Sequence, residues 1–240
     1  MSLGDFQFQI KSPYVYSKRD SVLMKHFNGL QYSEKIGFWD NTEQGIWKRF
    51  KKRIKDHYIV AQDYQCPYCL QRIEVKHNGV WDAEHIIPKS SHPHFMFESQ
   101  NLCVSCKDCN ESKLDKPVTR ARVKDVFSTE KDDYLICHPH FDEYSEHVRV
   151  ISVAGFYLPK TPKGRALVET CGLLRFLYKY SNHECASDEI RSRTIDLNNQ
   201  LIKASTELEL FFIYDCIEDL VKEGKRLLRI KRMAAPVEVA

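Results

Sequence analysis

Two Cys-x-x-Cys pairs, Cys66-Pro67-Tyr68-Cys69 and Cys106-Lys107-Asp108-Cys109, constrain this chain more than any other feature. Four thiolates are the number and type that close a tetrahedral structural zinc site, with bonds of about 2.3 Å. Such a site has no open position for a substrate, so it is scaffold, and any chemistry must come from elsewhere. The 36 residues between the pairs exceed the roughly 15 to 20 of a simple zinc ribbon, which predicts a further unit mounted between the knuckles. That interval holds Trp81-Asp82-Ala83-Glu84-His85-Ile86-Ile87-Pro88 and Gln100-Asn101-Leu102, and Asn110 and Lys113 follow the last cysteine.

Cys103, Cys137, Cys171, Cys185 and Cys216 remain from a total of 9. An odd count, with no apolar stretch after Met1, argues against a disulfide framework and for a reducing, cytoplasmic setting. Cys103 reads as a buried strand thiol. Apolar runs such as Leu210 to Tyr214 are far short of a membrane span, so no membrane partner is expected.

The order Cys-x-x-Cys, Glu84-His85-Ile86-x-Pro88, Asn101-Leu102 and Cys-x-x-Cys-Asn110-x-x-Lys113 resembles the zinc-bearing HNH endonucleases, whose catalytic unit is a ββα-metal finger. The resemblance spans Cys66 to Lys113. It implies that His85 is the general base, Glu84 and Asn110 are ligands of a catalytic metal, and Asn101 holds the loop between the strands. The commonest forms have Asp at the position of Glu84 and His at that of Asn110. Both variants still offer oxygen to a hard cation such as Mg²⁺ or Mn²⁺. The expected activity is metal-dependent phosphodiester hydrolysis leaving 5′-phosphate and 3′-hydroxyl ends, with DNA favoured over RNA. Two further elements, His138-Pro139-x-x-Asp142 and Lys163-Gly164, are similar to the HNH subunits of Septu-type (PtuB-like) bacterial anti-phage systems, including retron-linked ones. That narrower resemblance implies an ATPase partner and an activity restrained until a trigger acts. The competing expectation is a zinc-ribbon nucleic-acid-binding or adaptor module whose His85, Glu84 and Asn110 are silent.

A net charge of only +3 does not by itself mark a nucleic-acid binder, so local charge has to carry that argument. From Gln44 onward Ile46, Phe50, Ile54 and Tyr58 recur at helical spacing. Between them stand Lys48, Arg49, Lys51, Lys52, Arg53 and Lys55. Beside the first knuckle this is either a solvated face or a phosphate-tracking surface; Lys48, Lys51, Lys52 and Arg53, with Lys89 and Lys113, are the candidate nucleic-acid contacts.

The rest of the chain divides into an irregular cap over 1–45, the core over 46–120, and a β-hairpin with helices over 121–240 that could meet a partner. Strands are expected at Ile73 to Val75 and Val80 to Ile87 around an Asn78-Gly79 turn, and again at Asn101 to Val104. A helix starting near Cys106 carries Asn110 and Lys113 on one face. A hairpin is expected at Val148 to Ser152 and Phe156 to Leu158 around Ala154-Gly155, then one helix from Lys163 to Tyr180. Asp188 to Met233 reads as a long helix or two shorter ones, with Gly224 the weak point. His-Pro-His-Phe occurs at 92–95 and again at 138–141; these four histidines with Asp142 could build a further metal or substrate site. The fold class is α+β: a zinc-clamped ββα finger in a mainly helical protein with a small hairpin.

Overall fold

The structure is a computed structural model that describes residues 6–42, 44–75, 78–120, 125–152, 155–178 and 186–234. Cys185 and the Ala154 half of the expected turn lie outside the described residues.

The N-terminal segment is more regular than an irregular cap. Helix α1 spans Lys18–Gly29 and opens on a reciprocal cap: the Ser17 hydroxyl accepts from the Asp20 N–H, and the Asp20 carboxylate accepts from the Ser17 N–H. That cap satisfies two otherwise orphaned donors. One turn apart on its inner face, Leu23 and Phe27 are buried. Two single-turn helices follow, α2 (Tyr32–Lys35) and α3 (Phe38–Asn41), the latter entered through Gly37 at φ 71°. In α4, Gly45–Ala61, Phe50, Ile54 and Tyr58 form the buried stripe that the spacing predicts, whereas Ile46 at the first turn is exposed.

The expected strand at Ile73 to Val75 does not form. A lone bridge pairs Gln65 with Arg72, and Asn78–Val80 is a turn of 3-10 helix instead of a hairpin turn. The first strand, β1, is Trp81–His85, and it pairs antiparallel with β2, Leu102–Cys106, in the register Trp81↔Cys106 to His85↔Leu102. Helix α5, Lys107–Lys113, follows directly. These three elements have the order β, β, α, and α4 packs against both strands.

Beyond the finger-sized unit, α6 (Tyr144–His147) leads into the antiparallel pair β3 (Val148–Ser152) and β4 (Phe156–Pro159), irregular between Val150 and Ser152. The single helix expected from Lys163 is two: α7, Pro162–Thr170, ends at Gly172 with φ 61°, and α8 is Arg175–Tyr178. Only glycine adopts that left-handed conformation without cost, so it terminates the helix. The last segment is α9 (Ala186–Lys203) and α10 (Glu207–Ala234), packed side by side. Their break falls before α10, where Thr206 Oγ1 accepts from the Glu209 N–H and the Glu209 carboxylate accepts from the Ser205 N–H. A new cap, rather than a weak glycine, therefore sets the boundary. Gly224 sits within α10, and a Cβ there would lie 3.4 Å from Ile190.

One core joins these parts. Phe27 meets Phe97 edge-on at 4.8 Å, and Phe38 meets Trp47 in the same way at 4.8 Å. Geometry of this kind adds to area burial. Through these rings the N-terminal helices fasten onto the loop between β1 and β2.

Candidate functional site

The four cysteines converge. Cys66 and Cys69 form a tight knuckle in which the Leu70 N–H donates to the Cys66 carbonyl at 2.8 Å, with Leu70 itself at φ 55°. Cys106 closes β2 and Cys109 lies in the first turn of α5, so strand register and helix phase bring the second pair to the first. All four sulfurs are buried and lie within 4.8 Å of one another, with Cys69 and Cys106 at 3.8 Å. A tetrahedron with bonds of about 2.3 Å has edges of about 3.8 Å, so the donor set fits zinc in both chemistry and size. Arg175 of α8 donates from Nη2 to Cys109 Sγ at 3.2 Å. A guanidinium there offsets the negative charge of a four-thiolate centre. Sequence reasoning missed Arg175, because nothing local marks a residue 66 positions away. Cys103, on β2, is a buried thiol whose pKa burial raises.

Next to the cysteine cluster is a groove of about 1090 Å³. His85, Glu84, Asp82 and Asn110 line one side, and Lys48, Lys51, Lys52 and Lys55 of α4 line another. His85 is the last residue of β1, and its Nε2 lies 3.1 Å from the Met96 carbonyl. A carbonyl only accepts, so Nε2 carries the proton and Nδ1 keeps the basic lone pair. Trp39 contacts the ring edge-on at 4.6 Å. Burial, with Lys89 and Lys113 adding to it, lowers the His85 pKa to about 3, so the imidazole is neutral near pH 7.

Asn101 extends the strand pair past its last rung. Its Oδ1 accepts from the Ile87 N–H at 2.7 Å, and its Nδ2 donates to the Ile87 and Phe95 carbonyls, each at 3.1 Å. The Ile86 N–H donates to the Asn101 carbonyl at 2.9 Å, and from there the side-chain amide carries the pairing on to Ile87 and ties in the loop that carries Met96.

Glu84 is buried and bonds to Lys113 Nζ at 2.7 Å and Tyr68 Oη at 3.1 Å. Both contacts fall on Oε1, so Oε2 retains its lone pairs. Burial raises the carboxyl pKa, and the Lys113 charge opposes that rise. Asp82 stands two residues earlier on the same strand face. Its Oδ2 accepts from Asn110 Nδ2 at 3.1 Å and its Oδ1 from Lys107 at 3.0 Å. With its NH₂ committed, Asn110 is left its carbonyl oxygen. Asp82 was not among the candidates, although the alternation of a strand through Glu84 pointed to it.

Several candidate cations sit elsewhere than expected. Lys113 is fully buried and also donates to the His85 carbonyl at 3.0 Å, so it braces the site and presents nothing to a phosphate. Lys51 is buried with its ammonium on the Trp39 carbonyl at 2.6 Å. Arg53 pairs with Asp20 at the start of α1. Lys89 lines the groove but is held by Asp40 at 2.5 Å. Lys48 and Lys52 line it, Lys52 paired with Asp56 at 2.5 Å on the exposed face of α4, and Lys55, one helical turn on, joins them.

The histidines of the two tetrapeptides are engaged in ring packing and in a bond to β2. His92 stacks on Phe95 at 5.4 Å and His138 on Phe141 at 4.2 Å, while His140 Nε2 donates to the Leu102 carbonyl at 2.8 Å. Cys137, Asp142 and His147 approach within 4.8 Å of one another. Lys163 already supplies positive charge there, with Nζ 2.5 Å from Asp142. Among the described residues, no helix is long and apolar enough to cross a membrane. No protein-family model matches the chain, and no curated protein matches it.

Proposed function

We propose that this protein is a metal-dependent endonuclease of the HNH type that hydrolyses phosphodiester bonds in DNA, with the four-cysteine zinc as scaffold. The observation that carries the reading is the convergence, in one groove, of a neutral imidazole, hard oxygen donors and a row of lysines. Glu84 Oε2 and the Asn110 carbonyl oxygen would hold Mg²⁺ or Mn²⁺, with Asp82 fixing the orientation of Asn110. When bound, such an ion supplies Lewis-acid stabilisation of charge on the phosphoryl and leaving oxygens.

The chain's own residues do the rest. His85 Nδ1 accepts the proton of the attacking water, since Nε2–H is anchored on Met96 and keeps the ring in that tautomer. Asn101 holds the Met96 loop at the height that anchor requires. Lys113 opposes the rise that burial imposes on the Glu84 pKa and ties the His85 backbone to α5. Lys48, Lys52 and Lys55, at i, i+4 and i+7 on α4, track the phosphate backbone. Restraint by an ATPase partner in anti-phage defence rests on the Asp142 and Lys163 elements alone.

Engagement of Glu84 Oε1 by Lys113 and Tyr68 favours a second reading, a silent nucleic-acid-binding module. Incubation of supercoiled plasmid and of total RNA with the purified protein separates the two. The nuclease reading expects nicking in Mg²⁺ or Mn²⁺ that chelator abolishes; binding of nucleic acid without cleavage under either ion supports the silent module.

A further inference from the structure

We propose that Leu114 is a wedge that enters duplex DNA at a base step beside the scissile phosphate, making duplex the preferred form of substrate. This rests on the nuclease reading above and narrows it.

Leu114 directly follows α5, lines the groove that holds His85, and is 65% exposed. A single exposed leucine is ordinary on a protein surface. Its backbone is not ordinary: φ is 47° and ψ is −125°. The Lys116 N–H donates to the Lys113 carbonyl at 3.1 Å, closing a tight turn with Leu114 as its first central residue. Those angles are the ones of a type II′ turn, where glycine dominates because a Cβ is strained. A branched side chain held there costs stability while most of its surface faces solvent. Strain of this kind persists where the surrounding structure holds it, and it clusters at ligand-binding sites.

The turn cannot relax easily. Lys113 is pinned inside by Glu84 and the His85 carbonyl, and Lys116 Nζ donates to the Thr170 carbonyl at 3.1 Å. On the far side Val118 is fully buried. The leucine is therefore presented rigidly at the groove's lip, next to the helix that carries Asn110. Apolar side chains offered in this way part stacked bases from the minor groove, and the resulting bend exposes backbone to the protein. A stack to part exists in a duplex, whereas flexible single strands are gripped chiefly by charge and by stacking on aromatic rings. The lysine row of α4 across the groove supplies the charge that both forms share.

The test compares wild type, Leu114→Gly and Leu114→Ala on a DNA duplex, on its single strand, and on the duplex carrying 2-aminopurine beside the cleavage site. Glycine removes both the strain and the wedge, while alanine keeps the strain and removes the wedge. The expected result is that the glycine variant melts no lower than wild type yet loses about tenfold in kcat/KM on duplex, the scale of a lost apolar contact. Cleavage of the single strand changes by less than twofold, and the fluorescence rise that wild-type binding causes in 2-aminopurine is lost in both variants. Duplex cleavage that survives Leu114→Gly, equal losses on both strands, or an unchanged fluorescence rise would each overturn the wedge. Should wild type bind the duplex without cutting it, the nuclease reading fails, and 2-aminopurine moved stepwise along the bound duplex still decides the role of Leu114.

Discussion

Lys113 and Glu84 form an ion pair behind the His85 side of the groove, and both are buried. Sequence convention puts lysine at the surface, so Lys113 reads there as a phosphate contact. Its burial follows from a contact between α5 and β1 that no local pattern encodes. Breaking such a pair strands a charge in low dielectric and costs about 3 to 5 kcal/mol. Urea denaturation of Lys113→Met is expected to show a loss of that size, with part of it recovered in the double variant Lys113→Met, Glu84→Gln. A loss under about 1 kcal/mol, the range of a surface ion pair, would place Lys113 outside. The two knuckles were legible because metal ligation fixes residue type and spacing, and the resemblance alone singled out Glu84-His85, Asn101 and Asn110. Asp82 and Arg175 were not legible, since each acts through a neighbour that only the fold brings near, and Lys55 stood in the basic run with nothing to single it out until the fold set it on the groove.

At the scale of elements, the strand pair and α5 were readable because Cys106 and Cys109, at the spacing of a metal knuckle, mark the end of β2 and the first turn of the helix. The cap was not. In α1 only Leu23 and Phe27 mark the inner face, and Pro13 and Gly29 nearby read as breakers. Gly172 ended a helix that apolar spacing alone would have continued, while Gly224 ended none. The zinc clamp carries a direct expectation. The Cys66–Cys69 knuckle lies outside any helix or strand, so metal binding is coupled to folding of this region. Stripping zinc with a strong chelator should release one ion per chain and expose the 62–113 region to protease; resistance unchanged after complete metal loss would contradict the clamp.

The segment around Asp142 gives an expectation for acid. Burial raises its pKa, but hydrogen bonds from His147 and the His138 N–H, with Lys163, outweigh that and lower it from 3.8 to about 2. A carboxyl lowered on folding contributes stability that is fully present above its unfolded value and is lost as pH falls through the folded one. Between pH 4 and pH 2 the wild type should therefore lose stability by more than Asp142→Asn does. Parallel acid limbs in urea titrations would show that Asp142 is not held this way.

Across the whole molecule, one core joins the N-terminal helices, the zinc unit and the β3–β4 pair. The net charge of +3 hides a local concentration of lysine along one face of α4. Replacing Lys48, Lys52 and Lys55 with Glu should weaken DNA binding and lower the slope of log K against log salt by about one per lost phosphate contact. A slope that stays the same would move the nucleic-acid path off this helix.

The central claim is that His85 removes a proton from water in this groove, and plasmid cleavage by wild type and His85→Ala in Mg²⁺, at equal zinc content, tests it most directly. The account predicts metal-dependent cutting by wild type and a loss of ~10² to 10⁴ in the variant, the range of a missing general base. Cutting at an equal rate by both proteins would contradict it.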